Sequence, residues 1–525
     1  MEDHKVLITT SGLGSRLGNL TSHTNKSLVR VGNMPTISHI VKSYPKETDF
    51  VITLGHFGQH VRDYLELAHP NRSFSFVEVD KYEGPGTSLA YSILQAKEEL
   101  QQPFIFHACD SIITDKLPLD LDKSWCIGAK KQQNSQYRTL RVSDAKVLNI
   151  NEKGELCFDY SYVGVCKIVE YDTFWSCLES LDFSKSDVSD CHVINDMIEK
   201  GCEFSFFETK EWHDIGNTSE LVSARKHFSS DHNVLDKDDE SIFFVDDHVI
   251  KFFSNSSIAA DRVARATKMS DVFPEVVDSR KNFYKYRFIE GTNFGSTVTR
   301  RNFSELLSWS KKNLWSEVEV DNITFREQCK KFYFEKTRSR IQKYYEVLGI
   351  DFESEPVIIN EERVGKAEDL ISRLSVDWLS DGEPTRFHGD FILDNIVMTP
   401  EKSFVLIDWR QDFAGSIEAG DLYYDFAKLN HNLVFNHEIV NDGHFHIEEK
   451  NGKISCDILR SEKLVKCQKD LLDFAEENGL DVRKIRTLSA IIWINMAPLH
   501  QYPLSKFLFN FGKYNLYCML EETNG

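Results

Sequence analysis

"RFHGDFILDNIVMTPEKSFVLIDWRQDFAG", running from Arg386 to Gly415, decides how the second half of this chain folds. Asp390 and Asn395 stand five residues apart, and Asp408 follows the apolar run "SFVLI", which reads as a strand. Phosphoryl transfer from ATP needs such a set. One carboxylate orients the attacking hydroxyl and accepts its proton, while an amide and a second carboxylate clamp Mg²⁺ on the triphosphate. A spaced triple with a strand between its members rarely arises by chance.

Working outward, "GD" at Gly420 and Asp421 comes next. "HGDFILDN", "LIDW" and this "GD" together resemble the aminoglycoside phosphotransferase and choline kinase superfamily, a small-molecule branch of the protein-kinase fold. The resemblance implies a bilobal α+β domain over residues 242–525, with Asp390 as catalytic base and Asn395 and Asp408 as Mg²⁺ ligands. Lys251, in "HVIKFF", matches the lysine that pairs with ATP phosphates. "YRFIEG", Tyr286 to Gly291, resembles the interlobe hinge and puts Glu290 at the nucleotide. The small lobe departs from the pattern: no GxGxxG precedes Lys251, and no glutamate lies between Lys251 and Glu275 to pair with it. Asp261, in "AADRVARA", is the substitute. His388 reads as a hydrogen bonder that shapes the catalytic loop rather than as a base. The absence of DFG and APE segments disfavours a protein kinase.

The first hundred residues alternate short β-rich runs with helical periods, and Leu89, Ile93, Ala96 and Leu100 fall on one helical face. This βαβαβ order predicts a doubly wound, Rossmann-like parallel sheet, hence an α/β first domain over 1–228. "TTSGLGSRLGNLTSHTNKSL" comes directly after the first strand. Gly12 and Gly14 let backbone N–H groups approach a polyphosphate, Arg16 can neutralise it, and Lys26 can reach a further phosphate oxygen. "PFIFHACDS" ends a strand at Asp110, where open α/β sheets bind ligands, and "EWHDIGNTSEL" supplies Asp214. Two carboxylates converging there could hold Mg²⁺ against a triphosphate.

From Lys5 to about Arg225 the chain resembles the nucleotidyltransferase family that makes nucleotide-sugars and CDP-alcohols, with "GLGSRL", Lys26, "CDS" and "HDIGN" in the family's order. The resemblance implies that Gly12, Gly14 and Ser15 wrap the phosphates and that Arg16 and Lys26 bind them. It further implies that Asp110 and Asp214 hold Mg²⁺, that Gly86 and Thr87 in "EGPGTSLAYS" lie against the base, and that Lys153 grips the acceptor phosphate. Asn25 stands where a proline usually precedes the lysine.

Composition sets the bounds. At 525 residues the chain is too long for one core. "SSDHNVLDKDDES", residues 229–241, is polar and acidic and reads as a linker. A hairpin is expected to turn at Asp246-Asp247, and one long helix is expected from a capping box at Thr324 and Glu327 to Gly349. The net charge of −20 speaks against nucleic-acid and anionic-membrane partners. Eleven scattered cysteines without a CxxC pair read as reduced thiols in a cytoplasm. "LSAIIWINMAPL" from Leu488 reads as a buried helix, not a membrane span.

A kinase that makes a phosphate monoester and a nucleotidyltransferase that consumes one are consecutive steps. The expectation is therefore a bifunctional enzyme using Mg²⁺, ATP and a second NTP, with CTP favoured, on a small alcohol or sugar. Its product would be an NDP-sugar or CDP-alcohol for surface glycan or lipid decoration. A homo-oligomer is left open, and the competing reading is that one half is an inactive regulatory or scaffolding module.

Overall fold

A computed structural model of the chain describes residues 4–130, 136–184, 187–228, 239–353 and 355–522. It divides into two compact units, Met1–Ala259 with Val277–Phe288, and Ala260–Val276 with Ile289–Gly525.

The first unit is built on a nine-stranded sheet. In spatial order its strands are Ser73–Glu78, Asp49–Leu54, Lys5–Thr9, Phe104–Ala108, Tyr160–Ile168, Trp125–Ala129, Ser205–Thr209, Lys146–Asn151 and Thr139–Ser143. The first four run parallel, as βαβ crossovers require, and form the expected Rossmann-like half. Beyond them the sheet is mixed, because Tyr160–Ile168 pairs antiparallel with both its neighbours. A parallel neighbour needs a crossover of about a dozen residues or more, whereas here a hairpin turning at Asp144-Ala145, both in the left-handed region, leads into that strand. The Leu89–Gln95 helix stops short of the expected face, yet Ile93, Ala96 and Leu100 are all buried.

Strands Glu240–Val245 and His248–Phe253 form the expected hairpin, with Val245 opposite His248 and Asp246 in the left-handed region. Of the 229–241 linker, residues 229–238 lie outside the described residues, and Glu240 already belongs to the strand. This hairpin joins Val276–Arg280 and Phe283–Arg287 in a four-stranded sheet. Position along the chain groups that sheet with the C-terminal half, but packing groups it with the N-terminal half. Phe243, Phe252 and Phe283 share one apolar cluster with Val61, Tyr64 and Leu65 of the Gly58–Ala68 helix. Tyr64 meets the Phe243 ring edge-on at 5.2 Å, and Lys285 donates to the Leu67 carbonyl at 2.8 Å.

The second unit is mainly helical. The helix expected at Thr324 starts at Asn322 instead, because the Asp321 carboxylate accepts from the Thr324 amide at 2.8 Å and from its hydroxyl at 2.7 Å. Asp321 is thus the cap, and Thr324 lies in the first turn. A π-helical turn, Lys331–Glu335, interrupts the run before it ends at Gly349 in the expected left-handed conformation. Leu488 to Ile494 are buried within the Val482–Met496 helix, and among the described residues no helix is long and apolar enough to cross a membrane.

Phe283→Ala should cost the first unit about 3–5 kcal/mol by leaving a cavity against Tyr64 and Phe252. Urea unfolding of the full chain, monitored by fluorescence, checks this; a loss under about 1 kcal/mol would mean that the four-stranded sheet is not part of that core.

Candidate active sites

In the first unit, strand Lys5–Thr9 delivers the chain into the glycine-rich loop. No protein atom lies within 4 Å of where a Cβ on Gly12 would stand, so packing does not demand glycine there; a close ligand would. Gly14 is required twice over. Its φ is +69°, and a Cβ would come within 2.9 Å of the Lys26 Cβ. Ser15 and Arg16 open the short 3₁₀ segment next in the chain.

Asn25, at the position where a proline is usual, is fully buried and donates to the carbonyls of Thr10 at 2.7 Å and His56 at 2.6 Å. Its oxygen accepts from the Ser27 amide at 2.9 Å. These bonds tie the loop to the Lys26 segment, so the amide supplies by hydrogen bonding the rigidity a proline ring would supply covalently.

The Lys26 ammonium lies 3.1 Å from Asp110 Oδ2, with side chains 21% and 20% exposed, so the pair is largely withdrawn from water. Burial opposes both charges. Asp110 overcomes it for Lys26 and holds that ammonium above its usual range, while Lys26 and Arg16 hold the Asp110 carboxyl below its own.

Strand pairing brings up the second carboxylate. Trp212–Asp214 runs antiparallel to Ser111–Ile113 with Asp214 opposite Ser111, and the Ile215 amide donates to the Asp110 carbonyl at 2.9 Å. A Cβ on Gly216 would stand 3.1 Å from Asp214 Oδ1, 3.3 Å from Arg16 Nη2 and 3.3 Å from Asp110 Oδ2. Three predicted residues thus converge on one point that only glycine leaves open. Two carboxylates and no nitrogen or sulfur ligand suit Mg²⁺, which takes one or two carboxylates and completes its shell with phosphate oxygens and water.

Lys153 is exposed. Burial and then Arg16 lower its pKa, and Asp214 counters them, so it feels the same centre. Gly86 is left-handed with Lys81 Nζ 2.9 Å from its would-be Cβ, and the Thr87 hydroxyl bonds the Gly84 carbonyl at 2.8 Å. Tyr137, not foreseen, packs edge-on against Trp212 at 5.0 Å, and burial together with Asp214 pushes its phenol up.

In the second unit Asp390 meets Lys428, 2.7 Å from its Oδ1, and the Asn395 amide donates to its main-chain oxygen at 2.9 Å and its Oδ2 at 3.2 Å. Asp390 is 40% exposed and Lys428 11%, so the carboxylate opens outward over a buried ammonium. Burial would raise the Asp390 carboxyl, but Lys428 holds it well below the usual range. Asp390 is therefore ionised at neutral pH. The Ile407 amide donates to the Asn395 carbonyl at 2.9 Å, which sets Asp408, left-handed at φ +58°, next in line. An amide oxygen and a carboxylate in adjacent segments again suit Mg²⁺. Among the described residues no cluster of three or more His, Cys, Asp or Glu forms a protein-only metal cage.

His388 has the structural role expected. Its Nδ1 accepts from the Asp390 amide at 3.1 Å, its Nε2 bonds the Ile407 carbonyl at 2.9 Å, and burial pushes its pKa down to about 4. Lys251 is 4% exposed on its strand, opposite Ile242 and Tyr284, so it is no ordinary surface lysine. Glu290 is exposed, one residue before Gly291, which packs tightly on Met398 and Val397. Burial and then the Asp412 carboxylate raise the pKa of Asp261.

Two buried residues that the sequence alone does not single out hold the loop that carries Asp390. Asp425 accepts from the amides of His388 at 2.8 Å and Gly389 at 2.7 Å, and from Trp315 Nε1 at 3.1 Å. Arg265 donates to the carbonyls of Phe387, His388 and Arg410, its guanidinium stacked 3.8 Å over the Phe387 ring. The signal lay in helix Leu422–Val434, capped by Asp421: Asp425, Lys428 and Asn432 come after it at helical spacing, a polar stripe on a buried helix.

Residues 333–440 match the phosphotransferase enzyme family, APH. The bifunctional protein GlmU of Methanococcus maripaludis strain C5 is 23% identical over 228 residues, covering 42% of this chain and 54% of that protein. The chain thus spans about half the length of the curated relatives of that kind. Choline-phosphate cytidylyltransferase of Streptococcus pneumoniae strain R6 is 30% identical over 149 residues, 28% of this chain and 62% of that one. The N-terminal part of this chain is thus similar to nucleotidyltransferases and residues 333–440 to phosphotransferases, an order consistent with a fusion. A solved CTP:phosphocholine cytidylyltransferase from Streptococcus pneumoniae aligns over 43% of this chain and 100% of its own, at 20% identity and a TM-score of 0.37.

Two outcomes test these sites. Gly216→Ala should leave the fold intact by circular dichroism and lower pyrophosphate release about 100-fold, since its methyl group would occupy the point where Asp110, Asp214 and Arg16 meet. Asp425→Asn offers one acceptor oxygen to three donors and should cost about 1–3 kcal/mol in urea unfolding. Burial pushes the Asp425 carboxyl from 3.8 up to about 6, so between those values the folded chain keeps a proton that the unfolded chain releases. Wild-type stability should therefore fall relative to the variant as pH rises through that window, then hold level.

Proposed function

We propose that this chain performs two consecutive transfers. Its second half in sequence, 242–525, phosphorylates a small alcohol or sugar with ATP, and its first, 1–228, joins the resulting phosphate monoester to a nucleotidyl group. In the first step the hydroxyl oxygen attacks the γ-phosphorus, Asp390 takes the hydroxyl proton, and the bond to ADP breaks. In the second, a monoester oxygen attacks the α-phosphorus of an NTP and pyrophosphate leaves.

One observation carries the proposal: each unit gathers its own lysine and ionised carboxylate, Lys26 with Asp110 and Lys428 with Asp390. An inactive half would not be expected to keep a charge pair that burial penalises. Arg16, Lys26 and the Gly12–Ser15 loop would hold the NTP phosphates, with Gly86 and Thr87 against the base and Lys153 on the monoester. Lys251 and Glu290 would serve ATP. Asp110 and Asp214 in one half, and Asn395 and Asp408 in the other, would hold Mg²⁺, which when bound neutralises developing charge on the phosphates. CTP is the nucleotide we favour, by likeness to the cytidylyltransferase over its matched 149 residues. The product would be a CDP-alcohol or NDP-sugar for decorating a surface glycan or lipid, made in a reducing cytoplasm, consistent with eleven free cysteines.

The test supplies ATP and each NTP with a panel of alcohols, amino alcohols and sugars, reading ADP and pyrophosphate separately. Asp390→Asn should lower ADP formation by about 10²–10⁴ and spare pyrophosphate release from added monoester, and Asp110→Asn should do the reverse. A variant that silences both signals at once would refute two independent centres.

A further inference from the structure

Beside Asp390 the second unit collects positive charge from three elements. Lys428 comes from helix Leu422–Val434, and Lys336 opens helix Lys336–Leu348 immediately after the π-helical turn. Arg410 stands two residues after Asp408, and its stem lies against the backbone of Gly389, where a Cβ would stand 2.6 Å from the Arg410 Cβ. Lys336 Nζ sits 4.0 Å from the centre of the Phe332 ring, and Arg410 Cζ 4.9 Å from that same centre. Lys336 also lies 5.8 Å from the Tyr424 ring. The faces of Phe332 and Tyr424 are therefore already met by the protein's own cations.

The local charge balance is lopsided. After burial, the strongest influences on Lys336 are Arg410, Lys428 and Arg340, opposed by Asp390, and its pKa falls well below the usual value. Arg340 is in turn depressed by burial and by Arg410. Of the other carboxylates here, Asp412 accepts from the Gly415 amide at 2.7 Å, and Asp408 stands two residues before Arg410. On a chain with 82 acidic and 62 basic residues, the cluster of Lys336, Arg340, Arg410 and Lys428 would be relieved by an arriving anion.

Resting on the reading of Asp390 as a kinase base, we propose that the acceptor is an alcohol carrying an anionic group, a carboxylate or a phosphate, gripped by Lys336 and Arg410. Its hydroxyl then reaches Asp390 while its acid group stays on the cation pair, a geometry the planar guanidinium of Arg410 favours. Neutral polyols would lack the anchor, and amino alcohols would be repelled.

Calorimetric titration of the full chain with ATP analogue and Mg²⁺ present tests this. The ligands are glycerate and glycerol phosphate against glycerol, gluconate against glucitol, and choline as the cationic arm. At least one anionic ligand should bind about tenfold or more tighter than its uncharged counterpart. Lys336→Met and Arg410→Gln should each remove about a tenfold share of that preference, with Arg410→Lys keeping part of it. Equal binding of charged and uncharged ligands, tighter binding of choline, no binding by any anion, or a preference that survives both substitutions would each overturn the proposal. Whether glycerate or glycerol phosphate binds tighter tells carboxylate from phosphate. The kinase reading is judged separately by ATP analogue binding, which Asp408→Asn should abolish; failure of the wild type to bind it would sink that reading and this one together.

Discussion

A lysine pressed against a half-buried carboxylate is the interaction on which both halves are built. Taking a carboxylate out of water favours its protonated form, and a protonated acid can neither bind a metal nor accept a proton. Lys26 and Lys428 reverse that tendency for Asp110 and Asp390 at 3.1 Å and 2.7 Å. The same lysines place positive charge beside those carboxylates. On an acidic chain, phosphate chemistry depends on such local concentrations of positive charge, because the long-range field works against it.

Around the second pair, the loop is fixed from both sides by buried charges of opposite sign. Arg265 caps carbonyls and Asp425 gathers amides, so the backbone from Phe387 to Gly389 is held through its own polar groups. Both residues are strained in charge by burial, which pushes Arg265 down to about 9 and Asp425 up to about 6. That strain is tolerated because each makes several directed hydrogen bonds, the condition under which a buried charge is stable.

Much of this is legible in the chain alone where chemistry forces short spacing. Asp390 and Asn395 sit on one loop, so five residues of sequence suffice to recognise them. Gly14 is required by backbone conformation and by Lys26 together. Asp425, Lys428 and Arg265 act on that loop from elsewhere in the sequence, where only tertiary packing gives them meaning; the polar stripe of one helix is the available clue. Gly216 is visible as a turn, but that three side chains meet over it depends on the register of two short strands. The first sheet is parallel, as its pattern predicts, for as long as crossover helices continue, and becomes mixed where hairpins replace them. Thr324 has the right spacing to Glu327 for a helix cap, yet Asp321 wins through a stronger, ionised acceptor.

The two units are interleaved along the chain: it passes from the first to the second after Ala259, returns at Val277, and leaves again after Phe288. Any single cut between these points strips one unit of part of its packing, so no one position along the chain separates the two units. As parts of one polypeptide, the two halves are made in strict one-to-one proportion, so their balance rests on turnover rates and not on separate expression.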